Sequence, residues 1–126
     1  MNEKTLLLRQ VHPSFMQDGQ ITSQVFRPTP KDENKLSVYD GDMIAPEASH
    51  EHFCRHANCT SCGVMAISQE ECNSQDLSVR EERNPYPEHC TIDFSTLSKG
   101  QIEKKAKLLK RFAENRGWLF CAESAI

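Results

Sequence analysis

Between Ser98 and Gly117 the apolar residues recur at helical spacing, and this segment limits the possible folds more than any other. Ile102, Ala106, Leu109 and Ala113 form one stripe, which Leu108 and Phe112 widen. Lys104, Lys107, Lys110 and Arg111 fall on the opposite side. Ser98 followed three residues later by Gln101 has capping-box spacing, so the helix start is written locally. Gly117 suits a left-handed residue just past the end. Before the helix, Cys90–Phe94 reads as a strand with Cys90, Ile92 and Phe94 on one face; after it, Trp118–Cys121 reads as another. An apolar stripe of this kind must be covered by another layer. The expectation is an α+β fold: a small mixed or mostly antiparallel sheet with a long amphipathic C-terminal helix packed on it.

The rest of the chain supplies short elements. Thr5–Val11 is mostly aliphatic and stops at His12-Pro13, so it reads as a strand. Ile21–Phe26 alternates and is bounded by Pro28 and Pro30, which predicts a second strand. Leu36–Tyr39 predicts a third, ended by Asp40-Gly41-Asp42. Ala45-Pro46-Glu47 resembles a helix start. Gly63–Ile67 predicts a buried strand, Ser68 with Glu71 caps a short helix, and Leu77–Val79 predicts a brief strand. With 126 residues and 37% hydrophobic residues, one domain over 1–126 with one modest core is expected. No apolar run approaches the ~20 residues of a membrane span.

Charge is unevenly spread. Residues 98–116 carry seven basic residues against Glu103 and Glu114, although the chain as a whole is −3. The acidic remainder repels nucleic acid, so the basic stretch is expected to be a solvated helix face. The start, Met1-Asn2-Glu3-Lys4, lacks the basic and apolar regions of a secretory signal. A cytoplasmic location is therefore expected, with the six cysteines reduced.

Two sets of residues carry possible chemistry. The first is His50-Glu-His52-Phe-Cys54-Arg-His56-Ala-Asn-Cys59-Thr-Ser-Cys62, a dense group of zinc-type ligands. Cys59 and Cys62 have the spacing of one zinc hook, but no second hook follows. Cys54, Cys59 and Cys62 are expected not to converge. The alternative is a zinc-stabilised binding module that adds His50 or His52, with Cys72 and His89 in reserve. A thioredoxin-like role for Cys59 and Cys62 needs a helix after them, and Gly63–Ile67 reads as strand. The second set is Arg9, His12, Ser23 and Tyr39, each on or beside an expected strand. Together with Glu88 or Asp93 they have the order of an NAD-using ADP-ribosyl-type cleft. The plainer alternative is that Ser23 and Tyr39 are ordinary strand residues and Arg9 an edge residue. The chain has neither a glycine-rich phosphate loop nor a Gly-x-Ser-x-Gly elbow.

Leu8–Pro13, Ser23–Pro28, Leu36–Tyr39 and Pro87–His89, followed by the Ser98 helix, together resemble a family of small bacterial proteins. The resemblance implies a bacterial, single-domain, cytoplasmic protein and carries no activity and no catalytic residue. The leading functional expectation is an accessory protein, without a cofactor, that binds a partner protein through the Pro28–Lys35 and Asn84–Pro87 loops. The alternative from another class is a compact enzyme with a cleft near Arg9 and Tyr39.

Overall fold

The computed structural model describes residues 1–56 and 60–122. In chain order these residues form β1 (Leu6–Gln10), β2 (Met16–Gln17), β3 (Gln20–Ile21), β4 (Lys35–Asp40), α1 (Pro46–His56), β5 (Gly63–Ser68), α2 (Gln69–Ser74), β6 (Ser78–Glu81), β7 (His89–Asp93), α3 (Lys99–Arg116) and β8 (Phe120–Cys121). The main sheet runs β6-β7-β4-β1-β5-β8, and all its ladders are antiparallel. β2 and β3 form a separate small hairpin. The α+β architecture with α3 laid on the sheet is the one expected from the sequence. No described helix is long and apolar enough to cross a membrane.

β1 is a middle strand, which explains its unbroken Leu6-Leu7-Leu8 run. Leu7 joins a core with Val38, Ile67 and Ile92, beneath Ala106, Leu109 and Ala113 of α3. Leu8 faces the other way, into a smaller cluster with Tyr39, Val64 and Ala66, packed by Phe53 of α1. The sheet is therefore covered on both faces, heavily by α3 and lightly by α1. Both predicted capping boxes are present: Ser98 with Gln101, and Ser68 with Glu71. Lys104, Lys107 and Arg111 are exposed, while Ile102 and Phe112 are only partly buried at the edge of the main core. Of the stripe residues expected to be largely buried against the sheet, Ile102, Leu109 and Phe112, only Leu109 is fully so, and with Phe94, also at 0% exposure, it anchors this face.

One strand expectation fails. Only Gln20–Ile21 is strand; Ser23–Phe26 is a 3-10 helix. Val25 and Phe26 are both fully buried in the same core, whereas strand alternation would send neighbouring side chains to opposite faces. They pack under α3 instead. The strand expected at Leu77–Val79 runs over Ser78–Glu81, and the last strand is shortened to Phe120–Cys121.

Candidate functional site

On the α1 face of the sheet an open cavity of about 560 Å³ is lined by Ser37, Tyr39, His52, Phe53, His56, Pro85, Tyr86 and His89. Its volume is that of an ordinary small-molecule site. Three elements build it. The β4–β7 register sets Tyr39 directly opposite His89. Period-two alternation then puts Ser37 on the same face as Tyr39. His52 and His56, four residues apart on α1, turn to the same side with ring centroids 4.5 Å apart. The Asn84–Pro87 loop, expected as a contact element, closes the cavity with Pro85 and Tyr86. Tyr86 stacks on Tyr39 at 5.2 Å and meets His52 and His89 edge-on at 4.6 and 5.2 Å.

The hydrogen bonds orient these rings. Burial pushes the Tyr39 phenol well above its usual range, and the neighbouring Tyr86 adds to the shift. Tyr39 is therefore a donor at neutral pH, and its O–H lies 2.9 Å from His52 Nδ1. Burial also raises the Tyr86 phenol, against the neighbouring Tyr39, which lowers it. His89 Nδ1 donates to the Glu82 carbonyl at 2.8 Å, and Nε2 lies 3.2 Å from Ser37 Oγ. Arg83 clamps the loop: its guanidinium reaches Asp40 at 2.9 Å and the Pro87 carbonyl at 2.9 Å.

The residues named for the ADP-ribosyl-type cleft do not share one site. Tyr39 lines the cavity. Arg9 donates from Nε to the Val25 carbonyl at 2.7 Å and from Nη1 to the Ser37 carbonyl at 3.0 Å, and it is not among the residues that line the cavity. Burial draws its pKa down to about 10, with Asp32 and Tyr86 opposing. It remains charged at neutral pH, and no ion pair among the described residues includes it. Ser23 lines a different cavity of about 440 Å³, on the α3 side, with Lys107, Lys110 and Arg111. His12 is exposed and caps a 3-10 turn, its Nδ1 accepting from the Ser14 amide at 3.0 Å. Of the nominated acids, Glu88 acts electrostatically on both phenols, whereas Asp93 sits at the far end of β7 and pairs with Arg80 at 3.5 Å.

Cys59 of the zinc set lies outside the described residues. His50 Nε2 is spent on the Ser61 carbonyl at 2.8 Å, with Cys54 Sγ at 3.7 Å. Cys62 packs against the main core and its thiol donates to the Val11 carbonyl at 3.2 Å. His52 is turned to Tyr39. Among the described residues no group of three or more His, Cys, Asp or Glu side chains is placed to hold a metal ion. Cys72 and His89, the reserve ligands, lie in the α3-side core and the cavity respectively.

The thiols differ in a measurable way. Burial pushes Cys72 up to about 12, and Cys72 has 0% exposure, whereas Cys121 is exposed. Under a native iodoacetamide pulse near pH 8, read by peptide mass spectrometry, Cys121 is expected to be alkylated and Cys72 to stay free until the protein unfolds.

Sequence reasoning missed Ser37 and Tyr86 and placed His89 only as a spare ligand. The Tyr39–His89 pairing was hidden because register is a tertiary fact. The one local signal was Tyr86 between two prolines, Pro85 and Pro87, which holds an aromatic ring at a rigid loop tip. No family model, no curated protein and no solved structure matches the chain.

Proposed function

We propose that this α+β domain acts by binding a small organic ligand with a planar ring in the cavity between α1 and the Asn84–Pro87 loop. The observation that carries the reading is the stacked, edge-closed set of Tyr39, His52, Tyr86 and His89 around an open volume of about 560 Å³. Aromatic walls favour a flat ring by offset stacking, and Ser37 and the Tyr86 phenol offer hydrogen bonds to its edge. The partner-binding expectation and this reading share a binding role and differ in what is bound.

Isothermal titration with nicotinamide, adenine and p-nitrophenol tests it. At least one is expected to bind saturably at a single site. Tyr86→Ala, checked for a native melt, is expected to weaken that binding about two- to tenfold, the value of one aromatic contact. Absence of saturable binding across the set, or binding indifferent to Tyr86, would remove the proposal.

A further inference from the structure

Ser37 and His89 face each other from adjacent strands. Because Ser37 pairs with Thr91 and Tyr39 with His89, the imidazole reaches diagonally across the ladder to the serine. Ser37 Oγ stands 3.2 Å from His89 Nε2, and His89 Nδ1 stands 2.8 Å from the Glu82 carbonyl oxygen. A carbonyl only accepts, so in the neutral ring the proton sits on Nδ1 and the Nε2 lone pair points at the serine hydroxyl. The backbone of the two residues adds to the clamp, since the Glu82 amide donates to the His89 carbonyl at 3.2 Å. Hydroxyl, base and orienting acceptor thus stand in the order that activates a serine. The base is 8% exposed, while Ser37 is exposed at the cavity wall.

We propose that Ser37 is an acyl-accepting nucleophile, that His89 is its general base, and that the substrate class is a small ester whose planar ring lies against Tyr86. The proposal rests on the cavity being a ligand site. In the first step Ser37 Oγ bonds to the ester carbonyl carbon as Nε2 takes the hydroxyl proton. The carbonyl electron pair moves onto oxygen and returns as the bond to the alcohol oxygen breaks. The alcohol leaves with the proton from Nε2. Water then attacks the acyl-serine, His89 takes the water proton and returns it to Ser37, and the acid is released. The sum is ester plus water to acid plus alcohol, with no oxidation or reduction. Tyr86, a protonated phenol on the same cavity, is a donor for charge that develops on the carbonyl oxygen.

The test is p-nitrophenyl acetate with the whole chain, following p-nitrophenolate release and mapping the acetyl group by peptide mass spectrometry. The expected result is acetylation at Ser37, lost in Ser37→Ala and slowed about 100-fold in His89→Gln. Ser37 is exposed, so Ser37→Ala keeps the native melt and carries the test even if the buried His89 does not tolerate replacement. Acetyl groups on lysine alone, or release by Ser37→Ala at the native rate, would overturn the proposal. Loss of the ester chemistry with p-nitrophenol binding intact would fail only the nucleophile. Ser37 acetylation with no binding of the ring compounds would fail only the ligand reading.

Discussion

Phe94→Ala is expected to destabilise the domain by about 3–5 kcal/mol, the cost of removing a fully buried aromatic ring and leaving a cavity. Phe94 has 0% exposure and sits where β7 hands the chain on to α3, in the main core. Its amide also donates to the Asn34 carbonyl at 2.9 Å, which ties this corner to the entry of β4. Domains of this size have only about 5–15 kcal/mol in total, so the variant is expected to melt far below the native protein. Phe112→Ala is expected to cost clearly less, because that ring stays partly exposed at the rim of the core. Thermal unfolding by circular dichroism compares the two. Equal losses would mean that the core is centred on the outer turn of α3 and not on the β7–α3 corner.

Arg83→Ala is the second large effect, and it joins stability to the cavity. Asp40 is 2% exposed, and Arg83 is the cation that meets it, at 2.9 Å. Removing one partner of a buried pair leaves an uncompensated charge, at a cost of roughly 3–5 kcal/mol. The Arg83 side chain keeps 32% of its exposure, so the lower end of that range is expected. The same guanidinium holds the Pro87 carbonyl, so its loss also frees the loop that carries Tyr86. Arg83→Lys is expected to recover little, since one ammonium cannot bridge Asp40 and the Pro87 carbonyl as the forked guanidinium does. Chemical denaturation reads the stability, and ring-ligand titration on the variant reads the loop. A variant with native stability would mean that Asp40 finds other partners.

Part of this fold is legible in the amino-acid sequence. α3 could be read because its caps, its stripe and its terminal glycine are all local signals that agree. β5 could be read because Gly63–Ile67 is an unbroken small and apolar run, and the structure buries it on both faces with Ser68 added at the end. Ile21–Phe26 misled because six residues fit alternation by chance, and contact with α3 decided the outcome. The cavity was legible only in pieces. Tyr39 stood out, but its stacking partner Tyr86 lies 47 residues further on, and it is the β4–β7 ladder and the Arg83 clamp that place the loop against the sheet. Arg9, nominated for a cleft beside Tyr39, does not line the cavity. Its role is to carry charge between the Val25 and Ser37 carbonyls, at the end of β1 where pairing with β4 has stopped. Ser23 and Tyr39 line different cavities because Ser23 follows the separate β2–β3 hairpin toward α3, whereas Tyr39 sits on the α1 face of β4.

The ligand is expected on the α1 face of the sheet and not on the basic α3 side. A two-dimensional NMR titration with nicotinamide, adenine and p-nitrophenol tests it most directly, following backbone amides and histidine ring protons together. Saturable shifts are predicted at Ser37, Tyr39, His52, Tyr86 and His89, with the amides of Lys107, Lys110 and Arg111 unmoved. Shifts that instead gather on Ser23 and those three basic residues, or that never saturate anywhere, would contradict it.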